Sequence, residues 1–408
     1  MNRKINFLFF YPIAYYALKS FIICNLIFLF FTASPFQASY LHAKDASDGD
    51  RAESLIANGV KHIKNNFYSK EKYQSVHILE FDLNSDFEME SVFGQDCMYK
   101  KETVSSMAKR KNAVAAINGA FFSQSGNPMG MLVHQGKIIK EPILGRTVFG
   151  LTTSNEFFFD NPKFDARFFY QKDQSCEIEF VELDGINRQP QDDEIIIFTS
   201  EYGNKTRTSY NNSLEIIVLG EKVISIGTHN STIPPDGYVI YASGVMSSEM
   251  EKIAINYTAY MELYVNPVWE QAKFAVGGGP RLLKDGEIIC DKQSEKFKSD
   301  VTSGRAPRTA IGITADRKIL LICVDGRQKN AAGMTLKELA AYLKKLGAKD
   351  AMNLDGGGST TFFLMGRVVN SPSDGRERPV SQALVIKPKD NLKDYAINLN
   401  KEYNNQKY

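Results

Sequence analysis

Two aspartates in this chain stand where a carboxylate can act on a ligand. Asp355 lies in the stretch Asn353-Leu354-Asp355-Gly356-Gly357-Gly358-Ser359-Thr360-Thr361-Phe362, and Asp325 in Val324-Asp325-Gly326-Arg327. In the first, an apolar run delivers one carboxylate, then three glycines and three hydroxyls follow. Consecutive glycines let main-chain N–H groups approach an anion closely and adopt positive φ. A carboxylate beside such a loop competes with an anion for the same space, so the pairing calls for a reason. The plain alternative is a tight hairpin with a solvated Asp. Either aspartate is also a candidate Ca²⁺ ligand, with main-chain carbonyls completing the shell.

The elements around these residues give the site reading its weight. Lys318 to Val324 is apolar almost throughout and rich in branched residues, as in a strand buried on both faces. Thr335-Leu336-Lys337-Glu338 forms a capping box, and Leu336, Leu339, Ala340, Leu343 and Leu346 follow at helical spacing up to Gly347. A second strand ends at Asp355. Strand, helix, strand predicts a parallel βαβ unit, wound right-handed, with both aspartates at the same sheet edge. Ligands in open α/β sheets sit outside the carboxyl ends of the strands. The expected fold class is therefore α/β (mixed α+β): a largely β core with packed helices and this βαβ unit carrying the site.

Arg3 and Lys4 precede a long apolar tract, and its Ser20–Ala33 portion has the length of a signal-peptide core and is short for a membrane span. Ala38 and Ala43 are candidate cleavage points. The expected division is a signal peptide over 1–43, one catalytic domain over 44–390 and a polar tail over 391–408. The net charge is +2; without residues 1–43, 46 basic residues stand against 47 acidic, a net −1. No basic stripe suggests nucleic acid, and no polybasic cluster suggests a lipid surface once the N-terminal segment is removed. Cys97, Cys176, Cys290 and Cys323 have no zinc-ligand spacing, and Cys323 lies in the apolar strand, as a core thiol would. The five histidines are scattered and suggest no Ser-His-Asp arrangement. Two segments read as hairpins, Met131–Ile139 and Arg281–Ile289, the second with a type I′ signal at Asp285-Gly286.

Several blocks, taken in order, resemble the phosphodiester glycosidase family. They are AINGAFF at 116–122, GMLVHQGKII at 130–139, GGGPRLLKDG at 277–286, RTAIGI at 308–313, VDGR at 324–327, GMTLKELA at 333–340, NLDGGGSTTF at 353–362 and ERPVSQALV at 377–385. The resemblance runs from about Tyr73 to Lys387. Asn118, Gly278, Gly279, Arg308, Asp325, Arg327, Asp355, Gly356, Gly357, Ser359, Thr360 and Arg378 fall on its pattern, whereas Gln382 stands where Asn is expected. The resemblance implies an exported hydrolase that removes a sugar linked through its anomeric carbon to a phosphodiester, with no organic cofactor.

In such a reaction the leaving group is a phosphate monoester, which makes light demands on a general acid. Asp355 and Asp325 are the candidate catalytic carboxylates, as base or nucleophile. A separation of roughly 5–5.5 Å would favour a retaining route and roughly 6.5–9.5 Å an inverting one. Arg327 and Arg308 can fork phosphate oxygens. The candidate substrate contacts also include Arg378, Asn118, Gly278, Gly279, Gly356, Gly357, Gly358, Ser359 and Thr360. Each has a structural alternative: Arg327 as a partner of Asp355, Arg308 of a buried acid, Asn118 as a turn tie, and Phe121 and Phe122 as core. Two rival functions are a non-catalytic glycan binder outside the cytoplasm and a metal-dependent phosphodiesterase on envelope polymers. The leader reading makes a direct prediction: protein recovered from outside the cytoplasm begins near residue 44. N-terminal sequencing that finds residues 1–43 intact would show an anchor instead.

Overall fold

A computed structural model describes residues 49–389, apart from 211, 266–268, 270 and 291–292. The expected signal peptide over 1–43 and the tail over 391–408 lie outside the described residues. The described chain builds four sheets, two of eight strands and two of five.

The sheet that carries both aspartates runs Asp50–Ala57, Val60–Ser69, Lys72–Asp82, Lys318–Val324, Arg308–Thr314, Ala348–Asn353, Arg281–Lys284 and Glu287–Ile288. All its neighbouring strands pair antiparallel. The expected α/β class is therefore wrong, and the protein is essentially all-β. Lys318–Val324 and Ala348–Asn353 are not neighbours: Arg308–Thr314 lies between them and is antiparallel to each. A strand buried on both faces shows the same unbroken apolar run whether its neighbours are parallel or antiparallel. The run therefore carried no information about the strand that separates the pair. The two flanking strands still run the same way, so Asp325 and Asp355 leave the sheet at one edge.

Helices are few and short. Leu336–Lys345, the longest described at 10 residues, has the capping box read from the sequence. The Glu338 amide donates to Thr335 Oγ1 at 3.2 Å, and the Thr335 amide donates to Glu338 Oε2 at 3.0 Å. Its apolar side, Leu336, Leu339, Ala340 and Leu343, packs on Ile78, Ala310, Leu320 and Ile322 of the sheet. The opposite sheet face, with Leu79, Phe81, Ile311, Leu321 and Met352, packs on Ile117, Phe362, Leu364 and Ile386 of a five-stranded sheet. That second sheet runs Arg367–Val368, Phe362–Leu364, Ala115–Asn118, Gln382–Pro388 and Phe87–Phe93. The other five-stranded sheet contains Ala272–Gly277, and the second eight-stranded sheet has its own core around Phe168, Ile197, Ile216 and Ile240. Both hairpins form. Asp285 (φ 52°) and Gly286 (φ 83°) take the left-handed pair that a type I′ turn requires.

The two Asp-Gly turns share one neighbour, the main chain of Pro307. A Cβ on Gly326 would lie 2.7 Å from the Pro307 nitrogen, and one on Gly356 would lie 2.8 Å from its carbonyl oxygen. The Gly357 amide donates to that same oxygen at 2.9 Å. The atoms met are backbone, which cannot rotate away. Gly326→Ala is expected to lower unfolding free energy by about 1–3 kcal/mol through overpacking, read by denaturant titration. A variant of unchanged midpoint would show that the Pro307 contact is not close-packed.

Candidate active site

Asp355 follows the strand Ala348–Asn353 and is part-buried at the sheet edge. Its amide donates to the Gly119 carbonyl at 3.2 Å, and its carboxylate Oδ1 accepts from the Gly356 amide at 2.9 Å. Burial pushes its carboxyl up to about 6, against the opposing pull of the Ser359 hydroxyl, the Gly356 amide and the charge of Arg378. A carboxylate that titrates near neutrality is suited to exchange a proton, or to attack, under physiological conditions.

Two guanidinium groups lie on the glycine loop. Arg327 is exposed and sits over Gly357, where a Cβ would come within 3.1 Å of its Nη1. Its own backbone is left-handed (φ 59°), an uncommon state for a non-glycine residue. Within the described residues Arg327 forms no hydrogen bond or ion pair, so it is not the partner of Asp355. Arg378 lies against Gly358, at a spot a Cβ would occupy, and pairs with Asp374 Oδ2 through Nε at 2.9 Å and Nη2 at 2.7 Å. The loop glycines thus admit arginine side chains, a use the sequence reading did not foresee. Of the loop amides, Gly356 serves Asp355, Gly357 serves Pro307, Ser359 serves Gly356 and Thr360 serves Gly357. The Gly358 amide has no acceptor among the described residues and remains available to a ligand.

Other expected contacts have partners within the protein. Arg308 is buried and donates to three main-chain carbonyls: Met334 from Nε at 2.9 Å, Val301 from Nη1 at 2.8 Å and Gly304 from Nη2 at 3.2 Å. Burial, reinforced by the charge of Arg327, lowers its pKa to about 10. The Gly278 and Gly279 amides donate to the carbonyls of Thr147 and Asn353 at 3.0 and 2.7 Å, which leaves neither for a phosphate. Asn118 is fully buried; it donates to the Asp355 carbonyl at 2.6 Å and accepts from Thr309 Oγ1 at 2.8 Å and the Thr361 amide at 3.2 Å. It ties both ends of the glycine loop together. Thr360 is buried beneath it, 3.3 Å from Thr309 Oγ1.

Asp325 differs from Asp355. It is buried, and its Oδ1 accepts from Asn370 Nδ2 at 3.1 Å and from the Ser371 amide at 3.0 Å. Burial raises its pKa, while Ser371, Asn370, Ser75 and the charge of Lys64 act the other way. Asn370 also donates to the Thr360 carbonyl at 3.1 Å and accepts from the Phe362 amide at 2.7 Å, so Asp325 holds the glycine loop indirectly. Asn370 and Ser371 were missed in the sequence; the turn signal Asn-Ser-Pro after a short apolar strand was the available clue. Across the sheet, one strand separates the two aspartates, which puts their main chains roughly 9–10 Å apart. Among the described residues no group of three or more His, Cys, Asp and Glu side chains gathers as a metal site would require. Phe121 packs tilted against Phe297 with ring centroids 5.7 Å apart, Phe297 itself lies under Arg146 at 4.1 Å, and Phe122 packs on a buried cluster.

The fold is shared with two solved structures, each at 21% identity. One, a Synechocystis protein, has a TM-score of 0.72 over 82% of this chain and 63% of that one. The other, described as an exported protein of Burkholderia pseudomallei, has a TM-score of 0.65 over 78% of this chain and 75% of that one. These likenesses define an all-β class of structure and leave chemistry open. Residues 212–387 match the phosphodiester glycosidase family. The mouse N-acetylglucosamine-1-phosphodiester alpha-N-acetylglucosaminidase is 30% identical over 141 residues, 34% of this chain and 25% of that protein. The chain thus spans about a quarter of that relative's length. The blocks at 116–122 and 130–139 fall outside the matched region, yet the structure places Asn118 in contact with Asp355.

The raised pKa of Asp355 has a consequence for stability. A carboxyl whose folded value lies above its unfolded value favours the fold below the unfolded value near 4, and that contribution is lost as pH rises through about 6. Asp355→Asn removes the ionisation. We expect the variant to gain about 1–2 kcal/mol over wild type at pH 7.5, discounted for residual exposure, and little at pH 4.5. Melting curves at the two pH values test this; a gain independent of pH would show that Asp355 carries no buried charge.

Proposed function

We propose that the protein is an exported hydrolase that removes a sugar joined through its anomeric carbon to a phosphodiester. The observation that carries this reading is Asp355, raised toward neutrality, beside two guanidinium groups seated on its glycine loop. A phosphodiester offers one negative charge and two non-bridging oxygens, which Arg327, Arg378 and the Gly358 amide can meet as donors. The anomeric carbon then faces Asp355. Water attacks that carbon, its bond to the phosphate oxygen breaks, and the electron pair leaves with the phosphate monoester. Asp355 takes the proton from the water, or attacks first and is released by water in a second step. Asp325 acts through Asn370 and Ser371 to position the loop. Its Oδ1 already accepts from two N–H donors, an environment that a bound Ca²⁺ would not favour.

The test is a panel of sugar-1-phosphodiesters incubated in ¹⁸O-water. Label is expected in the sugar; label in the phosphate would mean attack at phosphorus and overturn the reading. Asp355→Asn should lower turnover by about 10²–10⁴-fold while binding persists. Arg327→Ala should weaken both. Because ionised Asp355 is the reactive form, kcat/KM should rise with pH to a plateau above about 6. A pH profile flat from 4.5 to 7.5, or full activity in Asp355→Asn, would remove Asp355 from the mechanism.

A further inference from the structure

A cavity of about 500 Å³ opens beside the chain segment that borders Asp355, and neither the family resemblance nor the proposed chemistry assigns it. Its lining includes Ser125, Asn127, Met129, Lys140, Arg188 and Gln191. The connection to the active site is short. The Gly119 carbonyl accepts from Asp355, and two residues later the Phe121 carbonyl accepts from the Met129 amide at 2.7 Å. Met129 is exposed at the cavity rim, and the Gly130 backbone packs on Gly277.

Lys140 sets the chemistry of this cavity. It ends the strand Lys137–Lys140, is only 7% exposed, and burial lowers its pKa. Among the described residues its ammonium has no hydrogen-bond or ion-pair partner. The nearby charges are already committed to one another. Glu141 accepts from Arg188 Nε at 2.7 Å and from the Ile186 amide at 3.0 Å, and Arg188 holds both oxygens of Glu194 at 2.7 and 2.9 Å. Lys140 and Arg188 thus face Glu141 and Glu194, and because both carboxylates are held by Arg188, Lys140 is the cation left without a direct partner. A buried, unpaired charge is costly unless a counter-charge arrives. Beside it, Asn127 Oδ1 is buried without a donor. The cavity thus holds a cation in want of an anionic oxygen and an acceptor in want of a hydroxyl.

We infer that this cavity binds an anionic, hydroxyl-bearing group, a polyol phosphate or a sugar acid, and that it seats the leaving half of the substrate. The second clause rests on the hydrolysis proposed above; the anion binding does not.

Calorimetric titration of the full chain with glycerol 3-phosphate, glycerate and glycerol separates these points. At least one of the two anions should bind, and glycerol should not; phosphate alone or carboxylate alone identifies the source. Lys140→Gln and Lys140→Met should each weaken binding by about 10-fold or more. Both remove a buried unpaired charge, so the fold is not put at risk, and melting curves check it. The Arg327→Ala, Arg378→Ala double variant removes any binding at the phosphate contacts and should retain the binding that depends on Lys140. Failure of both anions to bind, binding unchanged in the Lys140 variants, or binding lost only with the two arginines would each overturn the site. For the leaving-half assignment, Lys140→Gln should raise KM for a substrate with an anionic leaving half and leave KM unchanged for a neutral one. An equal effect on both would overturn that assignment alone.

Discussion

The main chain at Pro307 is the constraint on which the site depends. It enters the central strand Arg308–Thr314 between two turns that leave the flanking strands, and both turns press on it closely enough to exclude a Cβ. One contact sets where Asp325 ends its strand; the other sets where Asp355 ends its own. The Gly357 amide bonded to the Pro307 carbonyl then fixes the direction in which the glycine loop departs. A residue without a Cβ is required at Gly326 and Gly356 for packing reasons, before any ligand is considered. The repeated Asp-Gly pair is thus a product of the crossing geometry, and the carboxylates inherit their common edge from it.

Beneath the loop, the polar groups are arranged to leave little slack. Asn118 bonds both ends of the loop, Thr309 bonds Asn118 and Thr360, and Asn370 bonds Thr360 and Asp325. Buried amides and hydroxyls of this kind are tolerated only when paired. The same set that satisfies them also restrains Asp355. Arg308 extends the restraint to Val301, Gly304 and Met334 by engaging their three carbonyls. A buried cation bonded only to carbonyls keeps its full charge a short way behind the loop, where it lowers the energy of an incoming anion even without touching it.

How far the sequence discloses this depends on the range of the interaction. Local chemistry was legible: the capping box at Thr335 and Glu338, the left-handed pair at Asp285-Gly286, and Cys323 as a buried free thiol all rest on contacts within a few residues or on an unbroken apolar run. The eight ordered blocks likewise pointed to the family. Strand neighbourhood was not legible, because Arg308–Thr314 precedes the pair it separates and a buried strand does not record its partners. That single omission turned an antiparallel sheet into an expected α/β unit. The roles of polar residues failed for a related reason. Arg308, Gly278 and Gly279 look available in a sequence because their acceptors are main-chain carbonyls, some far away in the chain, as with Gly278 and Thr147 or Gly279 and Asn353. A main-chain carbonyl is present at every position and so leaves no mark.

The two aspartates show how similar motifs acquire different chemistry. Both follow a buried strand and precede glycine, and burial raises the pKa of each. Asp325 is closed in by the turn at Asn370-Ser371, whose N–H groups take its oxygen and whose backbone caps it. Asp355 is followed by three glycines in place of one. The two additional glycines leave room that is filled by guanidinium groups, one from the Asp325 turn itself, since Arg327 lies two residues beyond Asp325 and reaches over Gly357. The first turn therefore lends its arginine to the second. Its left-handed backbone is the local strain that such a reach requires. A carboxylate held by donors is a structural anion, whereas one left part-open beside the unpaired Arg327 can meet a substrate. The difference follows from glycine count and the placement of one arginine, with no change in the carboxylate.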